Sequence, residues 1–541
     1  MEKTKKTYLK FNIIAIISII IFAISLTPKT LQNDTFYTIK IGEYVLKNGI
    51  TMQDPFSWHT LSYTYPHWAY DVIIYLFYSL GGHLGVYIST MLFASILGII
   101  MYRMNDKFTK NKPISFVLTI AAMFLLKDFI AARAQLFTFI LFALELLYIE
   151  SFLESGKKRY IVGLVAIPIV LANAHVAVFP FYFILYLPYI AEYIISSIFD
   201  FKGHINRRIK SLNKKISKCS KIEKLEKLNE QINKLEQKLE RLEHSQKKEP
   251  YKINIEKRKN TKVLIIVMII CIFAGLLTPL KDVPYTYLIK TMKGNSTQNI
   301  SEHLPLTLAQ NINYAVVLIF FIGILTFTDT KIRLCDLFML GGLTILTFMS
   351  RRQESLFIIL CIPIFNRMIT AFLNKYDKNG IEQMTQIMTS ICGVIVTLAL
   401  VLIISLISYG KKMKNKYVNE ASYPVKASEW ILENLDVENI KLYNEYNFGS
   451  YLLFKGIPVF VDSRADLYLP EFNKDVKVFE DFLTISGLGS FDMEGIFNKY
   501  GFTHFITNSK AKLKVYLNAK PEEYKQIYSD DNFSIFEKIG E

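Results

Sequence analysis

Cysteine is scarce in this sequence, with five residues in 541. Cys219 lies in a basic stretch; Cys271, Cys335, Cys361 and Cys392 lie in apolar ones. No pair has zinc-ligand spacing, so neither a disulfide framework nor a cysteine metal site is expected. A glycine-rich phosphate loop and a Ser-His-Asp signature are also missing, which sets aside the common nucleotide-binding and hydrolase classes. Charge is thin: Asp, Glu, Lys and Arg make up 20% of the chain. Blocks of roughly 16–24 residues have almost none of it, which excludes an ordinary multidomain soluble protein.

What fills those blocks is apolar. The chain is 51% hydrophobic with a mean hydropathy of +0.26. Blocks of that length cross a hydrocarbon core of about 30 Å as helices, because backbone groups in lipid must bond within their own segment. Hydropathy places eleven spans at about 10–27, 84–103, 113–126, 135–152, 160–173, 177–198, 263–280, 312–328, 334–350, 354–373 and 386–409. The first, after the basic MEKTKKTYLK, has no small-x-small cleavage site behind it and reads as an uncleaved span. With the N-terminus inside, every inner loop carries Lys or Arg: 104–112, 153–159, 199–262, 329–333 and 374–385. The net charge of +16 is concentrated in one place. Residues 201–262 hold 20 Lys and Arg against 8 Asp and Glu, an excess of 12. A basic loop between spans marks the cytoplasmic side and argues against nucleic-acid binding.

The expected architecture is an α-helical polytopic membrane protein with a small C-terminal extracytoplasmic α/β domain. Its parts are a membrane module 1–198 with a first outer loop 28–83, a basic insert 199–262, a second membrane module 263–409, and the α/β domain 410–541. The insert contains a heptad run, Leu225, Leu228, Ile232, Leu235, Leu239 and Leu242. It reads as a solvated helical hairpin or, through 222–242, a self-association element. In the first outer loop, Asp34 to Leu46 reads as an amphipathic helix along the interface, and Trp68 to Leu80 as a second one. In the C-terminal domain, helices are expected over 425–435, 471–484 and 492–500. Strands are expected over 440–443, 459–462, 503–507 and 533–537.

The candidate chemistry lies in the outer segments. Asp34, Asp54 and Asp71 share the first loop with Trp58, His59, His67 and Trp68. His175, Glu302 and His303 fall in other outer loops, and Arg133, Arg351 and Arg352 at outer span ends. Arginine there suits bidentate phosphate binding, and equally suits snorkelling. Asp34 serves as well for a helix N-cap, and Asp54-Pro55 for a turn. The outer histidines lack metal-ligand spacing. Glu145 stands inside a span. Asp462, Arg464 and Asp466 follow a predicted strand and read first as an internal salt bridge.

The order of these motifs resembles a group of bacterial proteins assigned to the GT-C glycosyltransferase superfamily. The similarity runs through Asn33-Asp34, Gly42-Glu43, Asp54-Pro55-Phe56-Ser57, Trp68 and Asp71, then Asn173-Ala174-His175, Thr278-Pro279, Glu302-His303 and Arg351-Arg352. It continues in Tyr423-Pro424, Asn444 to Leu452 and Val461 to Tyr468. Thr278 and His303 depart from the group's usual Asn and Trp. The resemblance implies transfer of a sugar from a polyprenyl phosphate to a glycan, lipid or protein acceptor at the outer face. It implies Asp34 as general base, with Asp54 and Asp71 as alternatives or supporting groups. Arg133, Arg351, Arg352, Glu302, His303 and His175 would bind phosphate or substrate. The leaving phosphate needs cationic groups, from arginine or a divalent cation. A transporter of lipid-linked saccharides and a non-enzymatic scaffold are the other readings.

Overall fold

A computed structural model describes residues 2–199, 201–217, 222–245, 252–294 and 300–539; Cys219 lies outside them. The chain is mostly helical with a small C-terminal sheet. Five helices among the described residues are long and apolar enough to cross a membrane: Trp68–Thr109, Ala134–Ser155, Val176–Ile198, Arg351–Tyr376 and Ile391–Met413. Five shorter apolar helices accompany them, Lys10–Leu26, Lys112–Leu125, Thr261–Leu276, Ile312–Phe327 and Leu334–Met349. The block expected at 160–173 is the helix Lys158–Ala174.

Three elements set the site. Helix α1 (Glu2–Leu26) packs against Ile391–Met413, so the first and last apolar helices are neighbours. Helix α2 (Asn33–Asn48) follows. It is not laid along an interface as expected: Phe36, Ile39 and Ile41 are fully buried. Helix α3 (Trp68–Thr109) covers one side of α2 and Tyr446–Lys455 covers the other. Gly42 makes this close packing possible, because a Cβ there would stand 2.1 Å from the Asp71 carbonyl oxygen. Within α3, Gly81 and Gly82 break the helix; Gly82 takes φ +57°. Trp68–Leu80 is thus a separate segment leading into the span, as expected.

The helix ends sort into two sets. At one end, Asn173 bonds the Leu277 carbonyl, Arg133 pairs with Glu302, and Ser350 bonds the Glu302 carbonyl. At the other, Lys107 pairs with Glu154, and strand β1 (Ile253–Asn254) pairs with β2 (Ile332–Arg333). A buried ionic cluster closes that end. Glu150 accepts from Arg333 at 2.6 Å and Arg258 at 3.1 Å, and Asp336 accepts from Arg333 and Arg367.

Between them, Glu145 is fully buried, and neither carboxylate oxygen has a partner among the described residues. Nearby, Pro168 lacks the N–H that would bond the Leu164 carbonyl, and the Tyr182 hydroxyl takes its place at 2.7 Å. In the insert, Phe201–Ile216 and Ile222–Ser245 form a hairpin. Ile205 and Leu212 on the first helix are buried, and of the heptad residues Ile232 is buried while Leu225, Leu228, Leu235 and Leu239 are half-buried.

The C-terminal domain carries a four-stranded sheet in the order β3-β4-β6-β5, where β3 is Leu442–Tyr443, β4 His504–Asn508, β5 Tyr524–Ser529 and β6 Phe533–Lys538. β3 and β4 are parallel; the other pairs are antiparallel. The expected strand at 459–462 is not one. The Asn444 side chain bonds the Phe460 N–H at 2.8 Å and the Val461 carbonyl at 2.7 Å, in the place of a ladder partner. Its one bridge is to Ser57 in the first loop. The helix expected over 471–484 runs later, Val478–Gly487.

Candidate active site

The first loop and the C-terminal domain are joined before any site is formed. Arg464, 6% exposed, donates to Asp54 at 2.6 Å and to Asp462 at 2.6 and 2.9 Å. Asp54 also accepts from the Phe56 and Ser57 N–H groups and the Ser57 hydroxyl. Asn473 adds two bonds to the Ser62 backbone, at 2.8 and 3.0 Å. A buried guanidinium held between two carboxylates satisfies all three charges. The expected Asp462–Arg464 bridge is present, and its second arm reaches 410 positions back.

This docking encloses a cavity of about 380 Å³. Its walls come from the start of α2, from Ser62 to His67, from single residues at helix ends, and from the domain's Tyr446, Ser463, Asp466 and Phe472. Asp34, Arg133, His175, Glu302, His303 and Arg352 all line it. Six of the nine residues that the resemblance implies as catalytic or binding are thus brought together, and His67, Arg464 and Asp466 join them. The other three of the nine are not. Asp54 is held by Arg464 outside the lining. Asp71 is fully buried and reaches the cavity only through His67. Arg351 lines a neighbouring cavity of about 290 Å³ and is bonded to Gln310 at 2.7 Å and to the Pro305 carbonyl.

Asp34 is not an N-cap. Gln32 holds that position, and Asp34 is in the first turn of α2, where its Oδ2 accepts from Arg133 at 2.7 Å. Arg133 also bonds Glu302 at 3.1 Å, so one guanidinium joins two elements far apart in sequence. Burial alone would raise the Glu302 carboxyl, but Arg133 and Arg352 outweigh it and hold it below the ordinary range. Arg352 lines both cavities. Its guanidinium has no ion pair and no hydrogen bond among the described residues.

His67 links a buried carboxylate to the cavity. Its Nδ1 lies 2.7 Å from Asp71 and its Nε2 3.1 Å from the Tyr37 hydroxyl. With Nδ1 donating to Asp71, Nε2 accepts from Tyr37. His175 Nδ1 lies 2.8 Å from the Thr138 hydroxyl, and burial holds its pKa well below the usual value. Among the described residues no three His, Cys, Asp or Glu side chains are grouped to hold a metal ion. The arginines lining the cavity are Arg133, Arg352 and Arg464, and Arg464 is paired with Asp54 and Asp462.

Burial and the nearby Arg352 also push His303 down to about 4. His303 is therefore neutral at pH 7. As pH falls through 6.5 the unfolded chain takes up this proton first, so stability drops between pH 6.5 and about 4. His303→Gln is expected to flatten that part of the melting-temperature profile of the purified protein in detergent. An identical slope in the variant contradicts the assignment.

Sequence reasoning missed Tyr287, and it read Asp466 only as part of an internal salt bridge with Asp462 and Arg464, whereas its partner is Tyr287. Tyr287 donates to Asp466 at 2.5 Å, and burial raises this carboxyl above the ordinary range. Nothing local in the sequence marks their pairing, across 179 positions. No protein-family model matches the chain, and no curated protein matches it.

Proposed function

We propose that this protein is a membrane glycosyltransferase of GT-C type, moving a sugar from a polyprenyl phosphate to an acceptor at the outer face. In this reading all eleven apolar helices span the bilayer, and the C-terminal domain lies outside. The observation that carries it is the cavity at the helix ends, lined by Asp34, Glu302 and Asp466 and supplied with an unpaired cation, Arg352. Sugar transfer needs that combination. A carboxylate takes the acceptor's proton, and fixed positive charge stabilises the phosphate as it leaves. Position matters equally. A polyprenyl chain stays in lipid while its phosphate reaches the helix ends, where Arg352 and Arg133 stand. Aromatic faces of Tyr37, Tyr63, Tyr446 and Phe472 in the same lining suit a saccharide.

The test is made in cells lacking the gene and complemented with the full chain. Surface glycan, profiled by mass spectrometry, is expected to lose one component in the deletion and regain it with the wild-type chain. An identical glycan profile with and without the protein contradicts the reading. One observation favours a transporter instead: the buried, unpartnered Glu145 within a span. Translocation of a fluorescent polyprenyl-phosphate sugar in proteoliposomes, lost in Glu145→Gln, supports that alternative.

A further inference from the structure

Two carboxylates face each other's elements in the cavity, and they are not equivalent. Asp34 belongs to the membrane module, and its Oδ2 is occupied by Arg133 at 2.7 Å. Arg133 in turn holds Glu302. Asp34 is thus part of a three-residue ionic chain that positions an arginine. Asp466 belongs to the C-terminal domain. It forms no ion pair among the described residues; its Oδ2 accepts from the Tyr287 hydroxyl, and its Oδ1 has no partner there. It also sits in a short helical turn, Ala465–Tyr468, anchored on both sides: Arg464 is buried in its ion pairs, and Tyr468 donates to Asp462 at 2.7 Å. The carboxylate lies on the domain's wall of the cavity, met there by Tyr287 of Val283–Lys293.

We infer that Asp466, not Asp34, is the group that accepts the proton from the acceptor hydroxyl, and that the C-terminal domain therefore completes the catalytic site. This rests on the glycosyltransferase reading. The step balances as follows. The acceptor's O–H proton passes to the free oxygen of Asp466 while the acceptor oxygen bonds the anomeric carbon. The bond from that carbon to the phosphate oxygen breaks, and its electron pair leaves on the phosphate, beside Arg352. Asp34 keeps Arg133 oriented toward the same phosphate.

Three observations favour this division. A carboxylate free of ion pairing keeps its affinity for a proton, and burial raises that of Asp466 further, offset in part by Tyr287 and Arg352. Tyr287 steadies one oxygen and leaves the other for substrate. The domain side of the cavity carries Tyr446, Ser463 and Phe472, which suit an uncharged acceptor, and its one arginine in the lining, Arg464, is already neutralised by Asp54 and Asp462, whereas the unpaired Arg352 comes from another element. The charged groups lining the cavity with Asp466 are Arg352, Arg133, Arg464, Asp34 and Glu302; the titratable ones are Tyr287, Tyr446, Tyr37, Tyr63, His67, His175 and His303.

The experiment uses the full chain in deletion cells pulse-labelled with radioactive glucose, over external pH from about 5 to 8, with label counted in surface glycan. Asp466→Asn is expected to lower the rate by about 100-fold or more, the usual contribution of a general base. Asp466→Glu should recover part of it. Tyr287→Phe removes the hydroxyl that steadies the carboxylate, so the acid limb of the pH profile should move to higher pH. A merely structural role for Tyr287 would lower the rate without moving that limb. Binding of undecaprenyl phosphate to the purified protein should be unchanged in Asp466→Asn. Wild-type labelling in Asp466→Asn overturns the assignment. If that variant does not fold, Tyr287→Phe decides: an unmoved limb overturns it. Should Arg352→Gln also label normally and the wild-type protein bind no undecaprenyl phosphate, the glycosyltransferase reading itself fails, a different outcome from failure of Asp466 alone.

Discussion

Arg464→Met is expected to destabilise the protein by about 3–5 kcal/mol, the usual consequence of removing one partner from a buried charge cluster. Asp54 and Asp462 would remain, both fully desolvated and with no cation between them. Arg464 is also packed over the Tyr63 and Phe56 rings, at 4.9 and 5.5 Å from their centroids, so shape is lost along with charge. Because Asp54 is in the first loop and Asp462 in the C-terminal domain, the failure should be one of docking. The domain should become cleavable by protease at concentrations that leave the wild-type chain intact. The melting temperature in detergent should fall, and the triple variant Asp54→Asn, Asp462→Asn, Arg464→Met should recover much of it, because no charge is then stranded. An unchanged melting temperature in Arg464→Met rules this account out. The same ion pair bears on Asp54, which the family resemblance implies as a catalytic candidate. Held by Arg464 outside the cavity, Asp54 is expected to affect accumulation when changed to Asn, not the rate per folded molecule.

The second large effect belongs to Arg352. It faces both cavities and has no partner among the described residues, whereas its neighbour Arg351 is already bonded to Gln310 and the Pro305 carbonyl. Arg352→Gln should weaken binding of undecaprenyl phosphate by about 10- to 100-fold, matching the roughly 1.5–3 kcal/mol of hydrogen bonds to a charged group. Transfer should fall further, by about 100- to 1000-fold, if the same cation also meets the charge that develops on the leaving phosphate. Arg352→Lys should lie between, because an ammonium keeps the charge but not the two-pronged geometry. Arg351→Gln should cost less than Arg352→Gln in both assays. Equal losses in the two variants would mean that the unpaired guanidinium is not what binds the phosphate.

The apolar helices were legible from sequence because a span is a one-dimensional requirement. Length and the absence of charge define it, whatever it packs against. The first loop was legible as chemically loaded for a similar reason, since Asp, Trp and His are concentrated there. Asp34 and Glu302 were each found as single residues in outer loops, and Arg133 and Arg352 at span ends. Strand β5 was missed because Lys525 and Gln526 are both exposed and only Tyr524 is fully buried, so the alternation that marks a strand is absent. The segment 459–462 was misread because apolar β-branched residues report burial, while pairing depends on what lies beside them. There it is the amide of Asn444.

By itself, then, the sequence determined an apolar helical chain with a basic insert and a loop-and-domain set of polar residues gathered at span ends. Only the tertiary structure decided which of them meet. Arg464 chose Asp54 across 410 positions, Arg133 joined Asp34 to Glu302, Tyr287 found Asp466, and Arg352 was left unpaired. The physical reason is range. Hydropathy acts on each segment independently, but an ion pair acts within about 4 Å, and only the folded chain fixes distances that short between residues so far apart in sequence.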